Sequence, residues 1–294
     1  MTGKLNLEIA ESVAGFKSLM DRILPKNIFY KLLLRGKGLE FDGYRKFGLD
    51  EDASSIDWKA SVRSNSLLAR QYVEERDIRA IFIVDVGDNM VFGSTKKLKC
   101  EYSAEVAASL ANLMISVGDK IGFFLVGQDI VKMVFPKSGK KQFEVFTHEL
   151  SLADNYGGNS GFKENLSSLI ELIEPSISLI FLISDFISVD KSNSKRFEEF
   201  GNLFETVAIM IKDPLDKTLP EINKEVHIQD PVSKERLIIN PILAKRIYEK
   251  KAKEQSEFVK KIFRENRIDC VELSTSEQFY FPLADFLKRR AEKR

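Results

Sequence analysis

Residues 80–86 read AIFIVDV, a continuous apolar run rich in β-branched side chains that closes on an acid. A strand with apolar residues pointing both ways must be covered on both faces, as the inner strands of a parallel sheet are. The rest of the chain supplies the covers. Residues 96–117 place Tyr102, Val106, Leu110, Leu113, Met114 and Val117 on one helical stripe, with Gly118 as a stop. Strands at 121–126 and 130–135 flank GQD as a hairpin, and helices at 141–150 and 162–173 lead to a strand at 177–184. A helix at 194–200, a strand at 203–211, a helix from 241 to about 266, a strand at 268–273 and a helix at 281–290 continue the alternation. The pattern predicts an α/β fold: a doubly wound, mostly parallel central sheet with helices on both faces.

Upstream of this body the texture differs. Residues 1–34 carry Ile9, Val13, Phe16, Leu19, Met20 and Ile23 at helical spacing until Pro25 interrupts, and residues 35–76 mix glycine, aromatic and charged residues as hairpin and loop do. The expected organisation is an N-terminal helical and hairpin extension over 1–76 and a sheet domain over 77–294, with a small hairpin insertion near 225–240.

Composition narrows the function classes. With 45 Lys plus Arg against 44 Asp plus Glu, the net charge of +1 provides no overall field toward nucleic acid or anionic lipid. The basic stretches at 31–46 and 288–294 are diluted by Glu40, Asp42 and Glu292, and no aromatic platform interleaves them. The longest apolar stretches, 179–183 among them, are far shorter than the roughly 20 residues a bilayer demands. Glu8 and Glu11 lie where a secretory signal would be basic and then apolar, so the expectation is a cytoplasmic protein without a membrane span. Cys100 and Cys270 read as buried small hydrophobes. The two histidines, His148 and His227, have no partners at metal-ligand spacing, which argues against zinc and against a Ser-His-Asp triad.

Ligands of open parallel sheets bind at the carboxyl ends of the strands, and two acids lie there, Asp85 and Asp185. If their strands are neighbours, the carboxylates face one crevice with hard oxygen ligands suited to Mg²⁺, and the loop YGGNSG at 156–161 offers the hydroxyl of Ser160. The plainer alternative is that both acids accept backbone N–H bonds from the turns that follow them.

At these residues the sequence resembles the von Willebrand factor A fold, whose metal-ion-dependent adhesion site is built on Asp-x-Ser-x-Ser, a distant Thr and a distant Asp. Asp85, Gly87 and Asn89 occupy the first three positions, Ser160 the Thr position and Asp185 the last. A narrower resemblance lies upstream. Arg45-Lys46-Phe47, Gly48-Leu49-Asp50, Ile56-Asp57-Trp58 and Val62-Arg63 form an ordered series similar to one in the family called domain of unknown function fifty-eight. Asp213-Pro214, Asp230-Pro231 and Phe281-Pro282-Leu283 extend that similarity over nearly the whole chain.

The resemblance implies a non-enzymatic, chaperone-like protein-binding adaptor. Its partners would be a MoxR-type AAA+ ATPase and a client protein complex under assembly or maturation. The metal, Mg²⁺ or Mn²⁺, would be held by Asp85, Asn89, Ser160 and Asp185, a degenerate site because Gly87 and Asn89 replace the expected serines. Partner contact would fall on Tyr44, Arg45, Asp57, Trp58 and Arg63, a segment that could instead cover one edge of the sheet. The competing reading is a metal-dependent phosphoryl-transfer enzyme or nuclease, with Asp85 and Asp185 as ligands and Lys212 or Lys59 as the electrostatic partner. That reading lacks phosphate-binding loops: the stretch from Gly93 to Lys97 does not fit the P-loop frame, and no G-x-G-x-x-G follows a strand.

Overall fold

The computed structural model describes residues 5–23, 39–48, 53–74, 78–229 and 235–292. In chain order, α1 (Ile9–Ile23) precedes β1 (Leu39–Lys46), α2 (Trp58–Ser64) and β2 (Leu68–Glu74). Next come β3 (Arg79–Asp85), α3 (Lys99–Ser116), β4 (Lys120–Val126), β5 (Ile130–Lys137), α4 (Lys140–Ser151) and α5 (Phe162–Leu172). Then follow β6 (Leu179–Ser184), α6 (Ser194–Leu203), β7 (Glu205–Lys212), β8 (Val226–Gln229), β9 (Arg236–Ile239), α7 (Pro241–Glu265), β10 (Asp269–Ser274) and α8 (Tyr280–Glu292).

Six strands form the central sheet in the order β10-β7-β6-β3-β4-β5. All neighbours are parallel except β4 and β5, which form the expected hairpin. The chain winds outward from β3 to β4 and β5, then returns to lay β6 on the other side of β3. That reversal opens a crevice above the carboxyl ends of β3 and β6.

Strand β3 shows why both faces are covered. Ala80, Phe82 and Val84 enter one core with the inner stripe of α3, while Ile81 and Ile83 enter the other with Phe162, Phe197 and Phe263. Phe82 stacks on Phe181 of β6 at 4.8 Å between ring centres, and Phe123 of β4 stacks on Phe146 of α4 at 4.6 Å. Each such buried side chain contributes about 1.5–3 kcal/mol.

Helix α1 joins the first core through Phe16 and Met20, the former 5.8 Å from the ring of Phe279. A buried carboxylate of α3 fastens the start of α1: the Glu8 backbone N–H and the Ser12 hydroxyl donate to Glu105 at 2.8 and 2.9 Å. The helical reading of residues 24–34 lies outside the described residues, as do Asp50 and Asp230-Pro231. At the other end, Arg290 of the basic stretch does not face solvent. It is buried and paired with Glu205 of β7 and, at 2.8 Å, with Asp269 of β10.

The described residues between α1 and the sheet form a hairpin with a short helix inside it, not hairpin and loop alone. β1 and β2 are antiparallel, with a register shift between Phe41 and Gly43. Asp57 caps α2 by accepting from the Ala60 N–H at 3.1 Å, and Asn65 ends it in the left-handed conformation. β8 and β9 form the small hairpin expected near 225–240.

Candidate functional site

β3 ends on Asp85, and Asp185 follows the last residue of β6, so pairing the two strands brings the carboxylates to one crevice. Asp85 accepts from the Gly87 backbone N–H at 3.0 Å through one oxygen. Its other oxygen accepts from the Ser184 hydroxyl at 2.6 Å and the Asn89 amide at 2.9 Å. The same amide nitrogen donates to Asp185 at 3.1 Å and so bridges the two acids. Asn89 Oδ1 is buried without a partner. Turning the amide over would point that oxygen at two carboxylates, so the nitrogen-inward orientation is the one electrostatics permits.

Two lysines complete the cluster. Lys99, in the first turn of α3, places Nζ 2.6 Å from Asp185 Oδ2 and 3.2 Å from Asp216 Oδ2. Lys212, the last residue of β7, donates from Nζ to the main-chain oxygen of Asp185 at 2.7 Å. Burial works against the charge of Asp185, but Lys99 and Lys212 outweigh it and hold its carboxyl below the usual range. Burial first, and the Asp185 charge second, push Asp85 up to about 6. Burial disfavours the Lys99 ammonium, yet Asp185 and Asp216 raise its affinity for the proton. Lys212 is driven down, chiefly by burial. Beside this group, Asp213 accepts from the Ser94 hydroxyl and N–H and from the Thr275 hydroxyl, which ties the loop after Gly93 to the ends of β7 and β10.

The loops over the crevice are held tightly. Phe186, directly after Asp185, has a φ of 51°, rare for a bulky side chain. Its ring is buried 5.0 Å from that of Phe263, which fixes the turn, while Asp185 accepts from the Ile187 N–H at 3.1 Å. Gly157 and Gly158 both take positive φ, and this bend lets Gly157 N–H donate to Val86 O and Asp88 N–H donate to Gly158 O. The bend sets Ser160 directly over Gly87: a Cβ at position 87 would lie 2.9 Å from the Ser160 Cα and 2.8 Å from Asn89 Oδ1.

Of the four residues expected to hold a metal, the fold therefore gathers Asp85, Asn89 and Asp185 at one point and brings the Ser160 backbone against their loop. Their arrangement does not fit a divalent ion. Both carboxylates already accept hydrogen bonds at every oxygen, Asn89 presents nitrogen to them, and an ammonium lies against Asp185. Among the described residues, no three His, Cys, Asp or Glu side chains converge as a metal-holding group. Lys99 and Asp216 were absent from the sequence reading. A signal existed: stepping back from Tyr102 and Val106 by three and seven positions lands on Lys99, a lysine on the buried stripe.

Residues expected to contact a partner lie on the β1–α2–β2 unit. Trp58 is 64% exposed, and Val62, one turn further along α2, is 82% exposed. Arg45 and Arg63 are exposed as well. The Tyr44 hydroxyl donates to Asp57 at 3.3 Å, joining the strand to the capped end of α2. Ser61 anchors the helix from its inner side by donating to Asp57 O and accepting from the Leu68 N–H. Trp58 thus keeps most of its surface in solvent. Both thiols are pushed up to about 12 by burial, consistent with small hydrophobes rather than nucleophiles. No helix of the described residues is long and apolar enough to cross a membrane.

Residues 43–258 match the family described as Protein of unknown function DUF58. Uncharacterized proteins of Mycobacterium bovis and Mycobacterium tuberculosis are 22% identical over 204 residues, which is 68% of this chain and 63% of theirs. Among solved structures, a conserved hypothetical protein BatB from Bacteroides thetaiotaomicron covers 73% of this chain and 99% of its own, at 12% identity and a TM-score of 0.48. An aerotolerance-related membrane protein from Bacteroides fragilis covers 74% of this chain and 100% of its own, at 10% identity and a TM-score of 0.45.

Proposed function

This chain belongs to the DUF58 family of proteins of unknown function, and from that premise we propose that it is a non-enzymatic protein-binding adaptor. Its partner in this reading is a MoxR-type AAA+ ATPase, with which it assists assembly or maturation of a client protein complex. The observation that carries the reading is the outward-facing Trp58 with Val62 beside it, on a unit whose inner side is pinned by Ser61 and Asp57. An exposed Trp58, with exposed Arg45 and Arg63 on the same unit, supplies the residue types of an interface centre, where Trp and Arg lose most on truncation.

The crevice is a degenerate adhesion site in this account. Its loops, 87–91 and 156–161, frame the carboxyl ends of the sheet. The hairpin surface is favoured because the crevice carboxylates are engaged internally. The same engagement disfavours the phosphoryl-transfer or nuclease reading, which needs Asp85 and Asp185 free to receive ligands.

The test is direct binding of the purified chain to the MoxR-type ATPase of the same genome, by surface plasmon resonance. Wild type should bind saturably, and Trp58→Ala and Arg63→Ala should each weaken binding with an unchanged melting temperature. Absence of binding by the wild type contradicts the proposed partnership.

A further inference from the structure

A divalent ion between two strand-end aspartates does three things: it neutralises them, fixes their spacing and holds the loops that carry them. Each of these is already done in this chain by its own side chains. Lys99 is 2% exposed, lies in contact with Asp185 and Asp216, and has Phe92 over it at 5.5 Å from the ring centre. Asn89 spaces Asp85 from Asp185 by donating to both. Lys212 adds a second ammonium on the Asp185 carbonyl.

We infer that the Lys99 ammonium permanently takes the place of the divalent ion in this crevice, which closes the site to Mg²⁺ and Mn²⁺ and keeps its loops set without a metal. Chemistry and shape agree on this. An entering dication would have to detach Lys99 from Asp185 and would then stand beside two buried ammonium groups, with Asp216 left to pair with Lys99. The coordinating side chain at position 87 is excluded as well. A serine there would drive its Cβ into the backbone of Ser160, and backbone cannot swing aside as a side-chain tip can. Gly87 and Lys99 therefore belong to one design: the glycine admits the 156–161 loop over the crevice, and the lysine supplies the charge beneath it. The inference does not depend on the protein-binding reading. If that reading holds, it adds that recognition is constitutive and insensitive to divalent ions.

The full chain, freed of metals, is titrated with Mn²⁺ and followed by the electron paramagnetic resonance of the free ion, with melting temperatures recorded with and without millimolar MgCl₂. Wild type should leave the Mn²⁺ signal undiminished and show no shift in melting temperature. Lys99→Ala vacates a position between Asp185 and Asp216, so it should bind Mn²⁺ saturably and melt higher as Mn²⁺ is added. Saturable Mn²⁺ binding by the wild type that is lost in Asp185→Asn overturns the inference. A folded Lys99→Ala that binds Mn²⁺ no better than wild type overturns it too. Lys99→Met, which keeps the length of the stem, serves if the alanine variant does not fold, and the wild-type titration decides independently of both.

Discussion

The crevice turns its charged side chains inward and pairs them, whereas the β1–α2–β2 unit turns its tryptophan outward. Lys99 and Asp185 are almost wholly buried in contact with each other, while Trp58 and Val62 stand in solvent. The two regions reverse the usual distribution of charged and apolar residues, and each reversal has a different meaning. Charge that is buried and satisfied holds loops in place. The exposed tryptophan on a pinned helix is the anchor of the proposed partner contact.

The largest effect that would separate the two regions is on stability. Lys99→Met leaves Asp185 buried with its nearest cation gone and should cost about 3–5 kcal/mol, read as a lower urea midpoint. Adding Asp185→Asn to it should recover about 1–3 kcal/mol of that loss, since the stranded charge is removed with its partner; strict additivity would break the picture of a direct pair. The hairpin surface should respond in the opposite way. Trp58→Ala should change stability by no more than about 0.5 kcal/mol, yet weaken ATPase binding by about 2 kcal/mol, roughly thirtyfold.

A smaller effect sharpens the crevice account. Gly87→Ser, which restores the residue type of the adhesion motif, should lower stability by about 1–3 kcal/mol through the clash with Ser160 and should not confer Mg²⁺ binding in calorimetry. A stable, Mg²⁺-binding serine variant would show that the 156–161 loop is free to retreat.

The smallest effect concerns pH and lies away from both regions. Burial works against the charge of Glu272 on β10, but Lys217 and Lys260 at 2.6 and 2.8 Å overcome it and hold the carboxyl at about 2. A depressed carboxylate contributes stability that is fully present above its unfolded value near 4.5 and lost as pH falls toward 2. Glu272→Gln should therefore narrow the stability difference between pH 6 and pH 3 by about 1 kcal/mol, a modest figure because solvent screens the pair.

The sheet was legible in the sequence because its strands are buried on both faces and their apolar runs are unbroken, as AIFIVDV shows. Boundaries slipped where capping decided them. Helix α3 begins at Lys99 rather than 96, since Glu101 reaches back to accept from the Leu98 N–H at 2.8 Å. Leu203 ends α6 instead of opening β7. Helix α2 was invisible to periodicity because it is seven residues long and its large apolar side chains face solvent. Asp85 and Asp185 were findable as acids at strand ends. Their partners were not found by motif, because Lys99, Asp216 and Ser184 come from separate elements that only the β3–β6 pairing and the seating of α3 bring together.

The division of labour between the two regions is tested most directly by measuring the affinity of the MoxR-type ATPase for wild type, Trp58→Ala and Lys99→Met, with the fold of each verified by its melting curve. Folded Lys99→Met should retain wild-type affinity while Trp58→Ala loses at least about tenfold. Unchanged binding by Trp58→Ala, with binding lost in a folded Lys99→Met, would place recognition in the crevice and contradict that division.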